Sequence, residues 1–582
     1  MANIKVEFDV PATMRDGVTL RANVFRPDDD GSYPIALTRT PYSKDLTGVS
    51  PILDPMRMAQ AGYIVVIQDV RGRFHSEGEW KAFRFEAEDG YDSVEWAATL
   101  PGSNGNVGMY GASYFGFTQW AAARLQPPHL KALMPFITWA DSRDGVLWRG
   151  GAYELGTSAA WQLGTIGFDV LLKRYAEAEP MQKYQALVAL VKEIDQLRTE
   201  GYASLPLKDF GPLTRMGFTG DLADIVNNPN SQEMAASTTI AHDYDKIQVP
   251  SYNVGGWYDI FCNGTLQNFA AMRGQGANPT VRQSRLLMGP WSHVNYSNVV
   301  GEIDFGFTSQ SALINLQTDL TGLTQRWFDF WLKGIENGVN NEPPVKLFVM
   351  GDNVWRDEQE WPLARTQYVP YYLHSGGLAN TATGNGTLST QQPTMEPADR
   401  YTYDPANPVT TFGGSLLMHP LFGPGARDQR QTEVREDVLV FTTPALTQDT
   451  EVTGPLLVKL WASSDALDTD FVARLVDVHP DGFAQPLNDG IIRARYRNGD
   501  TPELLEPGQA YEFTLNLWAT ANVFKAGHRI RLDVTSSNFP RWERNPNTGQ
   551  PFGMDATTQP AHQTIWHDAA HPSHIVLPIV PR

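Results

Sequence analysis

The segment Gly111-Ala112-Ser113-Tyr114-Phe115-Gly116 directly follows the apolar run Val107–Tyr110 and precedes the helix-like stretch Phe117–Leu125. A short run of this kind reads as a strand buried on both faces, and such strands belong to parallel sheets covered by helices. Glycines flanking a serine permit a tight strand-to-helix turn that exposes the hydroxyl at the sheet edge. The helix N-terminus then presents unpaired N–H groups to a developing anion. The spacing is G-x-S-x-x-G rather than the commoner G-x-S-x-G, because position 115 is Phe. Taken alone, it is equally well explained by a glycine-rich turn with an incidental serine.

The rest of the chain supplies matching strands. Ile35–Thr38, Tyr63–Ile67, Ala132–Ile137, Ser251–Val254 and Arg285–Met288 are short apolar runs, and helical stretches such as Glu88–Leu100 lie between some of them. This alternation predicts an α/β fold. Asp259 follows Tyr252–Val254 through Gly255-Gly256-Trp257-Tyr258, and His293 follows Leu286–Met288 through Gly289-Pro290-Trp291-Ser292. Serine, aspartate and histidine thus occur in the chain order of α/β-hydrolases, each just past a predicted strand. The three types are needed together, because a serine hydroxyl becomes nucleophilic only when an imidazole removes its proton and a carboxylate fixes the imidazole tautomer. Ser113, Asp259 and His293 are therefore the expected catalytic residues.

At 582 residues the chain is long enough for several domains. Val6–Phe25 reads as a hairpin about Asp16-Gly17. Residues 141–243 are rich in helix formers, as in Asp169–Glu177 and Pro180–Thr199, with no convincing strand before Val249, and this predicts an inserted helical cap. Leu313–Gly334 reads as a long amphipathic helix stopped by Gly334. From about Asp352 short alternating runs such as Leu456–Ala462, Phe471–Val478 and Arg529–Thr535 separate turn-rich segments, which predicts a β-sandwich or jelly roll. The expected architecture is an α/β-hydrolase core in residues 1–140 and 244–351, a helical cap in 141–243 and a C-terminal β jelly-roll domain in 352–582.

Several of these segments resemble the cocaine-esterase-like branch of the X-Pro dipeptidyl-peptidase family of serine hydrolases. They are Thr40-Pro41-Tyr42, Gln68–Arg73 (QDVRGR), Asn106–Tyr114 (NVGMYGASY), Gly256–Asp259 (GWYD), Gly289–His293 (GPWSH), Ser536–Gly549 and His571–Pro578. The resemblance spans nearly the whole chain and implies the same three-part architecture. It also implies that Tyr42 donates its hydroxyl to the oxyanion beside the backbone N–H of Tyr114. Without it, Tyr42 reads as a strand-end aromatic. It further implies an acyl pocket walled by Trp148, Trp161, Phe261, Leu417 and Met418, and hence an esterase for bulky apolar or aromatic acyl groups. Other branches of the family bind a free α-amine, as X-Pro dipeptidyl-peptidases or α-amino acid ester hydrolases, and need acidic residues near the nucleophile. Phe115 is not acidic, while Asp141 and Asp144 could supply charge or simply edge the cap. An inactive carbohydrate-binding protein is the alternative of another class.

The net charge of −19 argues against nucleic acid and anionic lipid as partners. A small-molecule ester is the expected partner, with self-association into a homo-oligomer left open. Cys262 is the sole cysteine, no basic-then-apolar leader opens the chain, and no run approaches the roughly 20 apolar residues of a membrane span, so a cytoplasmic location is the default. There is no G-x-G-x-x-G, Walker loop or C-x-x-C, and no cofactor is expected. His567 and His571 have helical metal spacing but Pro572 and the lack of a third ligand argue against zinc, and Asp28-Asp29-Asp30-Gly31 lacks the closing Glu of a calcium loop.

Overall fold

The computed structural model describes residues 3–47, 52–218, 220–229 and 231–582. Ten strands form one sheet: β1 Ile4–Thr13, β2 Thr19–Pro27, β3 Tyr33–Thr40, β4 Ile64–Asp69, β5 Ser103–Ala112, β6 Leu130–Phe136, β7 Tyr252–Tyr258, β8 Arg285–Ser292, β9 Val345–Val349 and β10 Val354–Glu358. Their order is β1-β2-β4-β3-β5-β6-β7-β8-β9-β10. β3 to β9 are parallel, and antiparallel hairpins close the two ends. The expected division after residue 351 therefore cuts the β9–β10 hairpin, and the first sheet runs on to Glu358. β10 is a polar edge strand, VWRDE, with no apolar run to announce it.

The apolar runs are explained by helices on both faces. Val94 and Ala97 of the helix Glu86–Ala98 and Phe117 and Trp120 of the helix Ser113–Ala123 share one core with β3 and β5. Trp327, Phe328 and Leu332 of the helix Leu320–Lys333 fill the other face, where the Trp327 indole donates to the Leu133 carbonyl at 3.0 Å. This last helix starts seven residues later than Leu313. Asp319 caps it by accepting from Gly322 N at 2.8 Å, and Asn315 and Leu316 have positive φ, which no helix accommodates.

Between β6 and β7 lies the helical insert. Its helices Leu155–Ala160, Gly167–Arg174, Pro180–Leu197, Gly211–Met216, Gly220–Asn227 and Gln232–Thr238 share a core that includes Leu163, Leu190 and Phe210. A two-residue hairpin, Trp148–Arg149 with Ala152–Tyr153, precedes them where no strand was expected. From Gln367 onward the chain forms a largely antiparallel β-sandwich of eleven strands. The sandwich core, with Phe471, Leu515 and Leu532, continues into Trp257, Tyr258, Met288 and Phe348 of the first sheet. The sandwich is thus seated directly against β7, β8 and β9.

Candidate active site

Ser113 occupies the turn between β5 and its following helix with φ 55°, a left-handed conformation uncommon outside glycine. The flanking glycines are there for space. A Cβ at Gly111 would lie 2.4 Å from Cδ2 of Phe115 and 2.6 Å from its carbonyl oxygen. At Gly116 it would lie 2.8 Å from Cβ of Thr138 and 2.9 Å from the Phe136 carbonyl oxygen. The second glycine sits at 116 because that residue, on the next helical turn, faces the end of β6. Thr138 also donates to the Ser113 carbonyl at 2.9 Å.

Asp259 and His293 emerge side by side because Tyr258 and Ser292, the last residues of β7 and β8, are paired in register. His293 Nδ1 lies 2.6 Å from Asp259 Oδ2, and His293 Nε2 lies 2.9 Å from Ser113 Oγ. Asp259 is fully buried, and its other oxygen accepts the Phe261 N–H at 2.7 Å. The Tyr296 hydroxyl donates to the His293 carbonyl at 2.9 Å, fixing the histidine from behind. A carboxylate at Nδ1 makes that nitrogen the donor and leaves Nε2 free to accept a proton from Ser113.

Tyr42 lies just past β3, and the indole N–H of Trp161 donates to its hydroxyl oxygen at 3.1 Å. Burial pushes the phenol pKa up to about 12, opposed by its hydrogen bonds with Trp161 and Ser113. Tyr114 is the second residue of the helix, so its backbone N–H is one of the first-turn amides without an intrahelical carbonyl. Its own phenol faces away from the serine: it donates to Glu86 Oε1 at 2.8 Å and accepts the Phe83 N–H at 2.8 Å. Arg39 pairs with the second Glu86 oxygen at 2.8 Å.

A cavity opens on Ser113, Tyr42 and Tyr114. Phe83, Trp139, Trp161, Phe261, Leu417 and Met234 form much of its apolar wall, and Arg84, Thr157, Ser158 and Gln162 are its polar members. Among the described residues lining it there is no Asp or Glu. Of the five expected wall residues, Trp161, Phe261 and Leu417 line this cavity. Trp148 and Met418 do not. Trp148 stands in the small hairpin, where successive side chains point to opposite sides; Arg149 faces Trp518, and Trp148 turns against Phe552, 4.7 Å between ring centroids. Met418 is carried by the position after Leu417 into the core of the insert, against Gly156. Phe83 and Trp139 were not expected: one lies in a loop and the other past β6, and nothing in the local sequence separates them from ordinary core aromatics.

Asp141 and Asp144 do not reach the cavity. Asp141 accepts from Arg143 N and the Thr239 hydroxyl, while Asp144 is bound by the Trp518 indole at 2.7 Å and by Asn263. His567 is buried against Asp399 at 2.9 Å, and His571 bonds Asp568. Asp29 closes a surface turn by accepting from Gly31 N and the Tyr33 hydroxyl. Among the described residues one group, Asp477, His479 and His528 in the sandwich, is close enough to share a metal ion; there His528 bonds Asp477 at 2.8 Å and His479 bonds Gln485 at 3.1 Å. No helix among the described residues is long and apolar enough to cross a membrane.

Residues 16–295 match the family model "X-Pro dipeptidyl-peptidase (S15 family)", and residues 337–576 match "X-Pro dipeptidyl-peptidase C-terminal non-catalytic domain". The cocaine esterase of Rhodococcus sp. (strain MB1 Bresler) is 39% identical over 587 residues, covering 100% of this chain and 99% of its own. A putative Xaa-Pro dipeptidyl-peptidase of Bacillus anthracis is 27% identical, covering 92% of this chain and 83% of its own. Among solved structures, an α-amino acid ester hydrolase superposes with TM-score 0.80 at 26% identity, over 99% of this chain and 97% of that one. An aminopeptidase from a marine sediment archaeon, Thaumarchaeota archaeon, gives TM-score 0.81 at 25% identity, over 100% and 97%.

Proposed function

The chain belongs to the X-Pro dipeptidyl-peptidase (S15) family of serine hydrolases, related over its full length to a cocaine esterase, and we propose that it is a carboxylesterase for bulky apolar or aromatic acyl groups. In this reading Ser113 Oγ attacks the ester carbonyl while its proton passes to His293 Nε2, and Asp259 stabilises the imidazolium. The Tyr42 hydroxyl and the Tyr114 N–H donate to the oxyanion, each contributing about 10²–10³ to the rate. The tetrahedral intermediate collapses as His293 returns the proton to the departing alcohol. Water then attacks the acyl-enzyme by the same route, giving a proton to His293, which returns it to Ser113 Oγ as the C–O bond breaks and the acid is released. The first sheet and its helices would supply the triad, the insert of residues 141–243 much of the cavity wall, and the sandwich the support behind β7 and β8.

The aromatic cavity opening on Ser113, with no carboxylate among the described residues that line it, carries the choice of acyl group. A substrate's α-ammonium placed there would be desolvated with no carboxylate in the described lining, and Glu233 and Asp224 beside it are paired with Arg84. A benzoyl group instead buries its ring against Phe261, Trp161 and Leu417. A benzoyl ester and an α-aminoacyl ester with the same leaving group test the reading. The benzoyl ester is expected to turn over at least about 10-fold faster in kcat/KM, equivalent to about 1.4 kcal/mol. Preference for the free amine would move the assignment to the aminoacyl branch.

A further inference from the structure

Trp161, one of the wall residues supplied by the insert, also bonds the candidate oxyanion donor, its Nε1 lying 3.1 Å from the Tyr42 oxygen. The two residues are far apart in sequence, and a buried guanidinium ties their segments together. Arg73 Nε donates to the Pro41 carbonyl at 3.0 Å, immediately before Tyr42, and Arg73 Nη1 donates to the Ile166 carbonyl at 3.2 Å, at the end of the turn that begins with Trp161. Asp169, on the following helix, pairs with the same guanidinium at 3.4 Å. Arg73 is fully buried, so this clamp is shielded from solvent. It ties the segment that carries the indole to the segment that carries the phenol.

We propose that Trp161 is a positioning residue for the oxyanion donor: its N–H occupies a lone pair of the Tyr42 oxygen and so directs the Tyr42 O–H towards Ser113. The proposal rests on the reading of Tyr42 as that donor. The chemistry follows from the donor count. A phenol has one proton, and an indole N–H can only donate, so the Tyr42 proton cannot be spent on Trp161. It is left for the neighbourhood of Ser113, which lines the same cavity as the phenol. When the substrate carbonyl oxygen becomes negative, the chain Trp161 N–H, Tyr42 O–H, oxyanion consists of successive donations in one direction, each strengthening the next. The interaction grows as charge develops, so its removal lowers kcat more than it raises KM. A residue acting only as cavity wall does the reverse.

The test is a double-mutant cycle read on the benzoyl ester with Trp161→Phe, Tyr42→Phe and both together. Trp161→Phe keeps an aromatic wall and deletes the N–H; the expected result is kcat lower by about 5- to 20-fold with KM changed less than about two-fold. In the double variant the loss should equal that of Tyr42→Phe alone, because an orienting bond has no value once the hydroxyl is absent. Additive losses, or an effect confined to KM, would overturn the proposal while leaving Tyr42 as donor. A Tyr42→Phe enzyme with undiminished kcat would instead remove the reading on which it rests. Should Trp161→Phe fail to fold, β-(3-benzothienyl)alanine at position 161 keeps the indole shape with sulfur in place of N–H, and the same kcat loss is required of it.

Discussion

Tyr42 combines two properties at a single atom: a hydroxyl beside Ser113 and a phenol pKa lifted from 10.0 to about 12 by burial. A donor must keep its proton, and this shift keeps it through the alkaline range. The enzyme's kcat should therefore show no loss near pH 10 that disappears in Tyr42→Phe; such an inflection would mean that the phenol ionises there. Folding holds this proton more tightly than the unfolded chain does, so the contribution of Tyr42 to stability is complete below pH 10 and is lost as the pH rises towards 12. Tyr42→Phe itself should lower kcat by about 10²–10³, and a change of only a few-fold would return Tyr42 to a structural role. Ser113→Ala should lower kcat by about 10⁴–10⁶, measured in a preparation free of wild-type enzyme.

At the scale of elements, the nucleophile depends on how closely the helix Ser113–Ala123 lies against the end of β6. Gly116 sets that distance. In Gly116→Ala the added methyl meets the Phe136 carbonyl and Thr138, neither a flexible chain end, and the start of the helix must shift. The expected outcome is a loss of about 1–3 kcal/mol in unfolding free energy together with a fall of at least about 10-fold in kcat, since displacement of a nucleophile by an ångström or less is enough to misalign it. Melting curves and initial rates on the same sample separate the two effects. An unaltered kcat would show that the helix can slide without moving Ser113.

The whole molecule is joined where the insert meets the sandwich. Arg149 is buried with its guanidinium 3.7 Å from the centre of the Trp518 ring and pairs with Asp489 at 3.4 Å, while Arg541 holds the same carboxylate at 2.6 Å. The two arginines crowd each other, and burial pushes the Arg149 pKa down to about 10, yet the guanidinium remains charged at neutral pH. Removing one member of a buried charge cluster strands the others, so Arg149→Ala should destabilise the protein by about 3–5 kcal/mol. Because the sandwich core is continuous with Trp257 and Tyr258, calorimetry should show the sandwich and the first sheet unfolding together in the variant. Two separated transitions would mean that the shared core does not couple them.

Sequence alone determined what depends on local pattern and chain order. The apolar runs marked six of the seven parallel strands, all but Val345–Val349, the glycines about Ser113 marked the turn, and the succession Ser113, Asp259, His293 put each candidate past a strand end. These are legible because a strand buried on both faces needs a continuous apolar run, and a turn with no room for a Cβ needs glycine. The resemblance of Thr40-Pro41-Tyr42 to a family motif added a residue that no local pattern would have selected. Tertiary structure alone decided which aromatics face the cavity. Trp148 and Trp161 are alike as letters, but one is turned to Phe552 by strand alternation and the other is held in hydrogen-bond reach of Tyr42 beside the Arg73 clamp. It likewise assigned Asp141 and Asp144 to structural hydrogen bonds and left no carboxylate among the described residues lining the cavity, because direction and distance between segments far apart in sequence arise only when they pack.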